Sequence, residues 1–119
     1  MLKTSSNSVR HDAPSREQVL SAAGEWVRAL LARRGEIVRV GYFGSYARGD
    51  YAPGSDFDVL IEVTRTSATG RADRASEYLP GCFPVDLDVL VYTSEELTKL
   101  REAKAALIAA IDPDLLPLP

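Results

Sequence analysis

Two pairs of acids carry the chemistry this sequence can do. Asp56 and Asp58 are separated by one residue, and so are Asp86 and Asp88. The first pair opens the apolar run Phe57 to Val63, and the second lies within the run Val85 to Tyr92. On a strand, residues two apart leave the same face. Each pair therefore sets two carboxylates side by side, and like charges that close resist ionising together. Acids within an otherwise apolar strand are also costly unless paired or bound to metal. A divalent cation resolves both conflicts. Magnesium suits carboxylate oxygen, and it is usually held by one or two carboxylates plus substrate phosphates. The plainer reading of Asp56 and Asp58 is a solvated strand start whose acids cap turns.

Gly44-Ser45 supplies a second part. A glycine directly after a strand lets backbone approach a ligand closely. If a helix starts there, its free N–H groups face an anion, and the Ser45 hydroxyl can bond a phosphate oxygen or cap the helix. A tight turn with a serine cap is the simpler account. If the strand carrying Asp86 and Asp88 lies beside the one carrying Asp58, one of its acids completes a three-carboxylate cage. A phosphate cradle facing such a cage is a phosphoryl-transfer centre.

The remaining elements must position these residues. Ser15 and Gln18 have the spacing of a capping box. Val19, Leu20, Ala23, Trp26, Val27, Leu30 and Leu31 recur at helical intervals after it. Gly35 fits a left-handed helix end, and Arg33-Arg34 suit the negative pole of that helix. Ile37 to Phe43 reads as a strand, Ser45 to Arg48 as a short helix ended by Gly49, and Ala52-Pro53-Gly54 as a turn. The second strand is Phe57 to Val63. Residues 64–81 hold a loop with a helical turn around Ala72–Tyr78, and this mixed apolar and basic stretch is a candidate contact face. The third strand is Val85 to Tyr92. A hydroxyl cap at Thr93-Ser94 followed by Glu95-Glu96 starts a last helix running to about Ile111. The order is helix, strand, strand, helical loop, strand, helix, which makes an α/β (α+β) domain with one small sheet flanked by helices. The expected layout is an N-terminal tail over residues 1–13, a domain over 14–112 and a C-terminal tail over 113–119.

Composition excludes some alternatives. The chain has 119 residues, 14 Lys+Arg against 17 Asp+Glu and a net charge of −3. That length fits one domain, and that charge gives no bulk basic character, which speaks against direct nucleic-acid binding. The lone Cys82 cannot form an internal disulfide, so a cytoplasmic protein is expected, with Cys82 as a small packing residue. No run reaches the ~18 apolar residues of a membrane span. The single histidine, His11, lies in the N-terminal tail.

The run Phe43-Gly44-Ser45, ten further residues, then Asp56-Phe57-Asp58-Val59 resembles the signature of the DNA polymerase β-type nucleotidyltransferase superfamily. The fuller form from Gly44 to Gly49, Gly-Ser-x-Ala-Arg-Gly, is similar to that of the minimal nucleotidyltransferases. These are short proteins that often serve as the antitoxin beside a helical HEPN toxin. The resemblance covers about residues 15–111. It implies a polymerase β-like fold in which Asp56 and Asp58 hold magnesium, two ions being expected, and Gly44 and Ser45 hold the β- and γ-phosphates of a nucleoside triphosphate, while Arg48 braces the loop or meets phosphate, an exposed ion pair with Asp50 being the alternative. The third carboxylate is Asp88 if the family pattern is aligned on the helix start at Thr93–Glu96, or Asp86 if it is aligned on Pro84-Val85. The implied reaction moves AMP from ATP to a hydroxyl, with the third Asp taking the acceptor's proton and pyrophosphate leaving in line. The implied acceptor is a HEPN-type partner protein. A non-catalytic antitoxin, or transfer to a small molecule such as an aminoglycoside, are the alternatives, and a homo-oligomer is compatible with either.

Overall fold

The computed structural model describes residues 13–68 and 70–118. Most of the expected N-terminal tail, residues 1–12 with His11, lies outside them. Helix α1 spans Arg16–Arg33 and opens with the capping box read from the sequence. The Gln18 N–H donates to Ser15 Oγ at 3.1 Å, and the Ser15 N–H donates to the Gln18 side chain at 2.8 Å. Val19, Ala23, Trp26, Val27 and Leu30 are buried along one side, whereas Leu31 is exposed. The left-handed end expected at Gly35 does not form. Arg34 caps the helix with φ −122° instead, and Gly35 is not among the glycines of positive φ. The reason is tertiary. Arg34 is held by Glu36 at 2.8 Å and Glu77 at 3.0 Å and lies over the Tyr78 ring. This grip turns the chain without a left-handed residue.

Strands β1 (Ile37–Phe43) and β2 (Phe57–Val63) form where their β-branched and aromatic residues place them, joined through the short helix α2 (Ser45–Arg48). After β2 come helix α3 (Arg71–Ser76) and strand β3 (Leu87–Thr93). The latter starts two residues later than the sequence suggests. Its ladder begins at Phe57↔Leu87, so it cannot start before its partner does. The chain ends with helices α4 (Ser94–Glu102) and α5 (Ala106–Ile111) and strand β4 (Leu116–Pro117).

The sheet order is β3-β2-β1-β4. β1 is antiparallel to both β2 and β4, while β2 and β3 are parallel, so the sheet is mixed. Alternation splits β2 between two cores. Phe57, Val59, Ile61 and Val63 pack with α1 and Tyr78, and Leu60 packs with Leu90, Leu97, Ile108 and Ile111. Burial on both faces explains the nearly continuous apolar run.

Two expectations are corrected at the C-terminus. The single last helix is broken into α4 and α5, because Lys104 is left-handed at φ 52°. The Ala105 N–H donates to Leu100 O at 3.0 Å and the Lys104 N–H to Arg101 O at 3.1 Å, which is a Schellman ending. The break lets Ile108 and Ile111 fold back onto Leu60 and Leu97. The expected tail is also partly structured. Leu116 and Pro117 pair with Tyr42 and Gly41, and the Leu118 N–H donates to Val40 O at 2.9 Å. Cys82, expected as a packing residue, is exposed.

Candidate active site

Strand β1 delivers the chain to Gly44, whose φ of 76° and ψ of −152° are open to glycine and strained for any other residue. A Cβ there would also collide with Asp58 Oδ2. The glycine is thus required twice, by backbone angle and by the carboxylate pressed against it. The chain then makes one tight turn. The N–H groups of Ala47 and Arg48 donate to Gly44 O at 3.1 and 3.0 Å, and those of Gly49 and Asp50 donate to Ser45 O at 2.9 and 3.1 Å. The first N–H groups of the turn, on Ser45 and Tyr46, have no acceptor within it. Gly49 closes it at φ 91°. Tyr46 pins the turn from beneath, buried and stacked on Tyr51 at 4.6 Å, with its ring edge to Phe57 at 5.5 Å.

The register brings the acids to this turn. Asp58 lies opposite Phe43 on one side and Asp88 on the other. Asp88, Asp58 and the Phe43-Gly44 bend therefore form a row across three strands. Adjacent residues at one level of a sheet have Cβ atoms about 5 Å apart. Asp58 follows the alternation of Leu60, so it lies on the sheet face that α4 and α5 cover, beyond the edge of that apolar cluster. Burial first, then the negative charges of Asp88 and Asp56, push its carboxyl up to about 6, and Arg48 acts weakly the other way. Asp86 is not among the charges that act on Asp58. Its carbonyl accepts the Phe57 N–H at 2.8 Å, a structural role at the start of the ladder.

Among the described residues, no ion pair reaches Asp56, Asp58, Asp86 or Asp88. A half-buried carboxylate among like charges, with no cation in direct ion pair with it, could hold a divalent cation together with substrate phosphate. The closed cage expected from the sequence is not preassembled, however. Among the described residues, no group of three or more His, Cys, Asp or Glu side chains is gathered tightly enough to hold a metal by itself. Repulsion among uncompensated carboxylates favours that spread, and one or two carboxylates with substrate phosphates are what magnesium commonly takes.

Ser45 is half-buried beside the bend, and among the described residues its hydroxyl has no hydrogen-bond partner. Arg48 takes the bracing role. Its Nε donates to Asp50 at 3.1 Å and its Nη1 to Asp114 at 3.0 Å. The Asp50 partner follows from local spacing. Asp114 was not singled out from the sequence, because 66 residues separate it from Arg48. Residues 64–81, largely exposed, are anchored to the fold at two points. Tyr78 is buried, the Trp26 ring N–H donates to its carbonyl at 2.8 Å, and Arg74 grips Glu96 at 2.7 Å. Among the described residues, no helix is long and apolar enough to cross a membrane.

Comparisons with known proteins bear on the family and the fold. A family model described as the nucleotidyltransferase domain matches residues 25–118. A candidate protein adenylyltransferase of Methanocaldococcus jannaschii is 54% identical over 41 residues, which is 34% of this chain. The match spans 41% of that relative's length. The crystal structure of a candidate nucleotidyltransferase from Sulfolobus solfataricus superposes with a TM-score of 0.60 at 24% identity, covering 86% of this chain and 80% of that one. At that identity the likeness concerns the fold. The family match takes in the glycine bend, both acid-bearing strands and the returning C-terminal strand, and on that ground the chain belongs to the nucleotidyltransferase domain family.

Proposed function

We propose that this protein is a magnesium-dependent transferase that moves AMP from ATP to a hydroxyl of a partner protein. The observation that carries the reading is the row of Asp88, Asp58 and Gly44, in which a carboxylate is pressed against a glycine bend whose first N–H groups have no acceptor among the described residues. Gly44 and Ser45 would receive the β- and γ-phosphates through backbone N–H and the Ser45 hydroxyl. Asp56 and Asp58 would hold magnesium, with Asp88 as the third acid in preference to Asp86. Bound magnesium would supply the positive charge that offsets the triphosphate. An Asp88 carboxylate oxygen would take the proton of the acceptor hydroxyl, whose oxygen would attack the α-phosphate in line as the bond to the β-phosphate breaks and pyrophosphate leaves. The relative named as a candidate protein adenylyltransferase supports a protein acceptor. A helical HEPN-type toxin as that acceptor, with this chain as its antitoxin, rests on the sequence resemblance.

One observation favours a second reading, a non-catalytic antitoxin that acts by contact alone. The three acids are not gathered into a metal group. Incubation with α-labelled ATP, Mg²⁺ and the protein encoded beside it separates the two. Label on the partner that disappears with Asp58→Asn supports the transferase. Tight binding of the partner without label supports the second reading.

A further inference from the structure

Residues 112–118 form a strap that returns from α5 to the glycine bend, and it carries a side chain with a specific task there. The geometry points to Asp114 as a positioning residue that, through Arg48, holds the Gly44–Gly49 turn in place for nucleotide. The inference rests on the nucleotide role proposed for that turn.

Asp114 sits just after α5, where its N–H donates to Ile111 O at 3.1 Å. Its Oδ2 accepts from Arg48 at 3.0 Å, and its side chain is 21% exposed against 47% for Arg48. Arg48 ends α2, and Asp50 takes the other side of its guanidinium. The guanidinium therefore clips the last residue of the turn to two carboxylates. One is local. The other comes from the far end of the chain and is itself fixed, because the strap pairs with β1 at Gly41 and Tyr42 and Leu118 binds Val40 O.

Gly41 shows how closely the strap is fitted. A Cβ at Gly41 would lie 2.8 Å from Leu115 Cδ1 and 3.0 Å from Leu116 O. The first neighbour is the tip of a flexible side chain that can turn aside, whereas the second is backbone of the strap, which would have to give by a few tenths of an ångström. The missing side chain at position 41 lets Leu115 lie on β1, and Leu115 directly follows Asp114. Two separate features, a bare strand position and a long-range ion pair, thus serve one placement.

The test compares wild type with Asp114→Asn, which keeps the shape and removes the charge, Asp114→Glu, and Gly41→Ala, which crowds the strap at Leu115 and Leu116 without touching Arg48. Amide exchange is followed at Ala47, Arg48, Gly49 and Asp50, whose N–H groups define the turn. Binding of an uncleavable ATP analogue with Mg²⁺ is followed by calorimetry. An exposed ion pair of this kind changes an equilibrium about threefold to fivefold. Exchange at those four amides is expected to quicken by that factor in Asp114→Asn and Gly41→Ala, with Val59 to Ile61 unchanged. Analogue affinity is expected to fall by a similar factor, and Asp114→Glu is expected to restore both. Unchanged exchange at the turn, uniform loosening of the whole sheet, or loosening with unaltered affinity would each overturn the proposal. If wild type takes no analogue, the proposed function fails, and the exchange comparison still decides whether Asp114 holds the turn.

Discussion

Asp58 is the residue on which structure and chemistry conflict most. It packs against the Gly44 bend and beside Asp88, in surroundings that disfavour its charge, and a nucleotide site needs that charge. Its carboxyl sits at about 6 against an ordinary 3.8. A raised carboxyl favours the folded state while protonated and loses that contribution as pH rises from about 4 to about 6. Asp58→Asn has no such loss. The variant is therefore expected to gain thermal stability on wild type over that interval, in chelator, and to keep the gain above it while losing transfer by at least a hundredfold. Melting curves against pH check the first part, and a pH-independent gap between the two proteins would count against the assignment. Gly44→Ala should do the opposite, costing about 2 kcal/mol or more of stability from backbone strain alone and abolishing transfer, as denaturant titration and assay would show.

The α1–β1 junction is a polar lock. Tyr78 donates its hydroxyl proton to Glu36 at 2.7 Å, and Arg34 bonds the same carboxylate. The Tyr78 hydrogen bond foremost, opposed by burial and helped by Arg34, holds the Glu36 carboxyl down at about 2 against 4.5. A depressed carboxyl stabilises the fold above its unfolded value and loses that contribution as pH falls from about 4.5 towards 2. Glu36→Gln should accordingly be less stable than wild type at neutral pH, with the difference vanishing near pH 2. Parallel stability curves across that range would show the lock to be energetically silent. The α4–α5 break is a second element with a readable cost. Lys104 takes a left-handed conformation that suits glycine, so Lys104→Gly should stabilise the protein by about 1 kcal/mol, measurable as a raised denaturation midpoint at constant slope.

Across the whole molecule, Phe57 joins the core to the site. It is fully buried, and its ring meets Tyr42 at 5.4 Å, Tyr46 at 5.5 Å and Phe83 at 5.7 Å. It also stands between the two site acids in sequence. Phe57→Ala should cost about 3–5 kcal/mol and loosen the turn that Tyr46 anchors. Magnesium with ATP should raise the melting temperature of wild type in a concentration-dependent way, and chelation should erase that rise. A rise that survives chelation would mean that nucleotide binds without the acids.

The sequence alone determined what depends on near neighbours. The Ser15 capping box, the hydroxyl cap at Thr93-Ser94, the β1 and β2 boundaries and the Gly44 bend all follow from local geometry, which repeats at short intervals. Tertiary structure decided whatever joins distant residues. Which acid stands beside Asp58 depends on the β2–β3 register, and Arg48 finds Asp114 only because β4 returns to β1. The helix break at Lys104 carries no glycine or proline to announce it, since packing of Ile108 and Ile111 outweighs a modest backbone cost there. Gly35, which looks like a helix end, is overruled because Arg34 also meets Glu77 and Tyr78, which only folding brings to it.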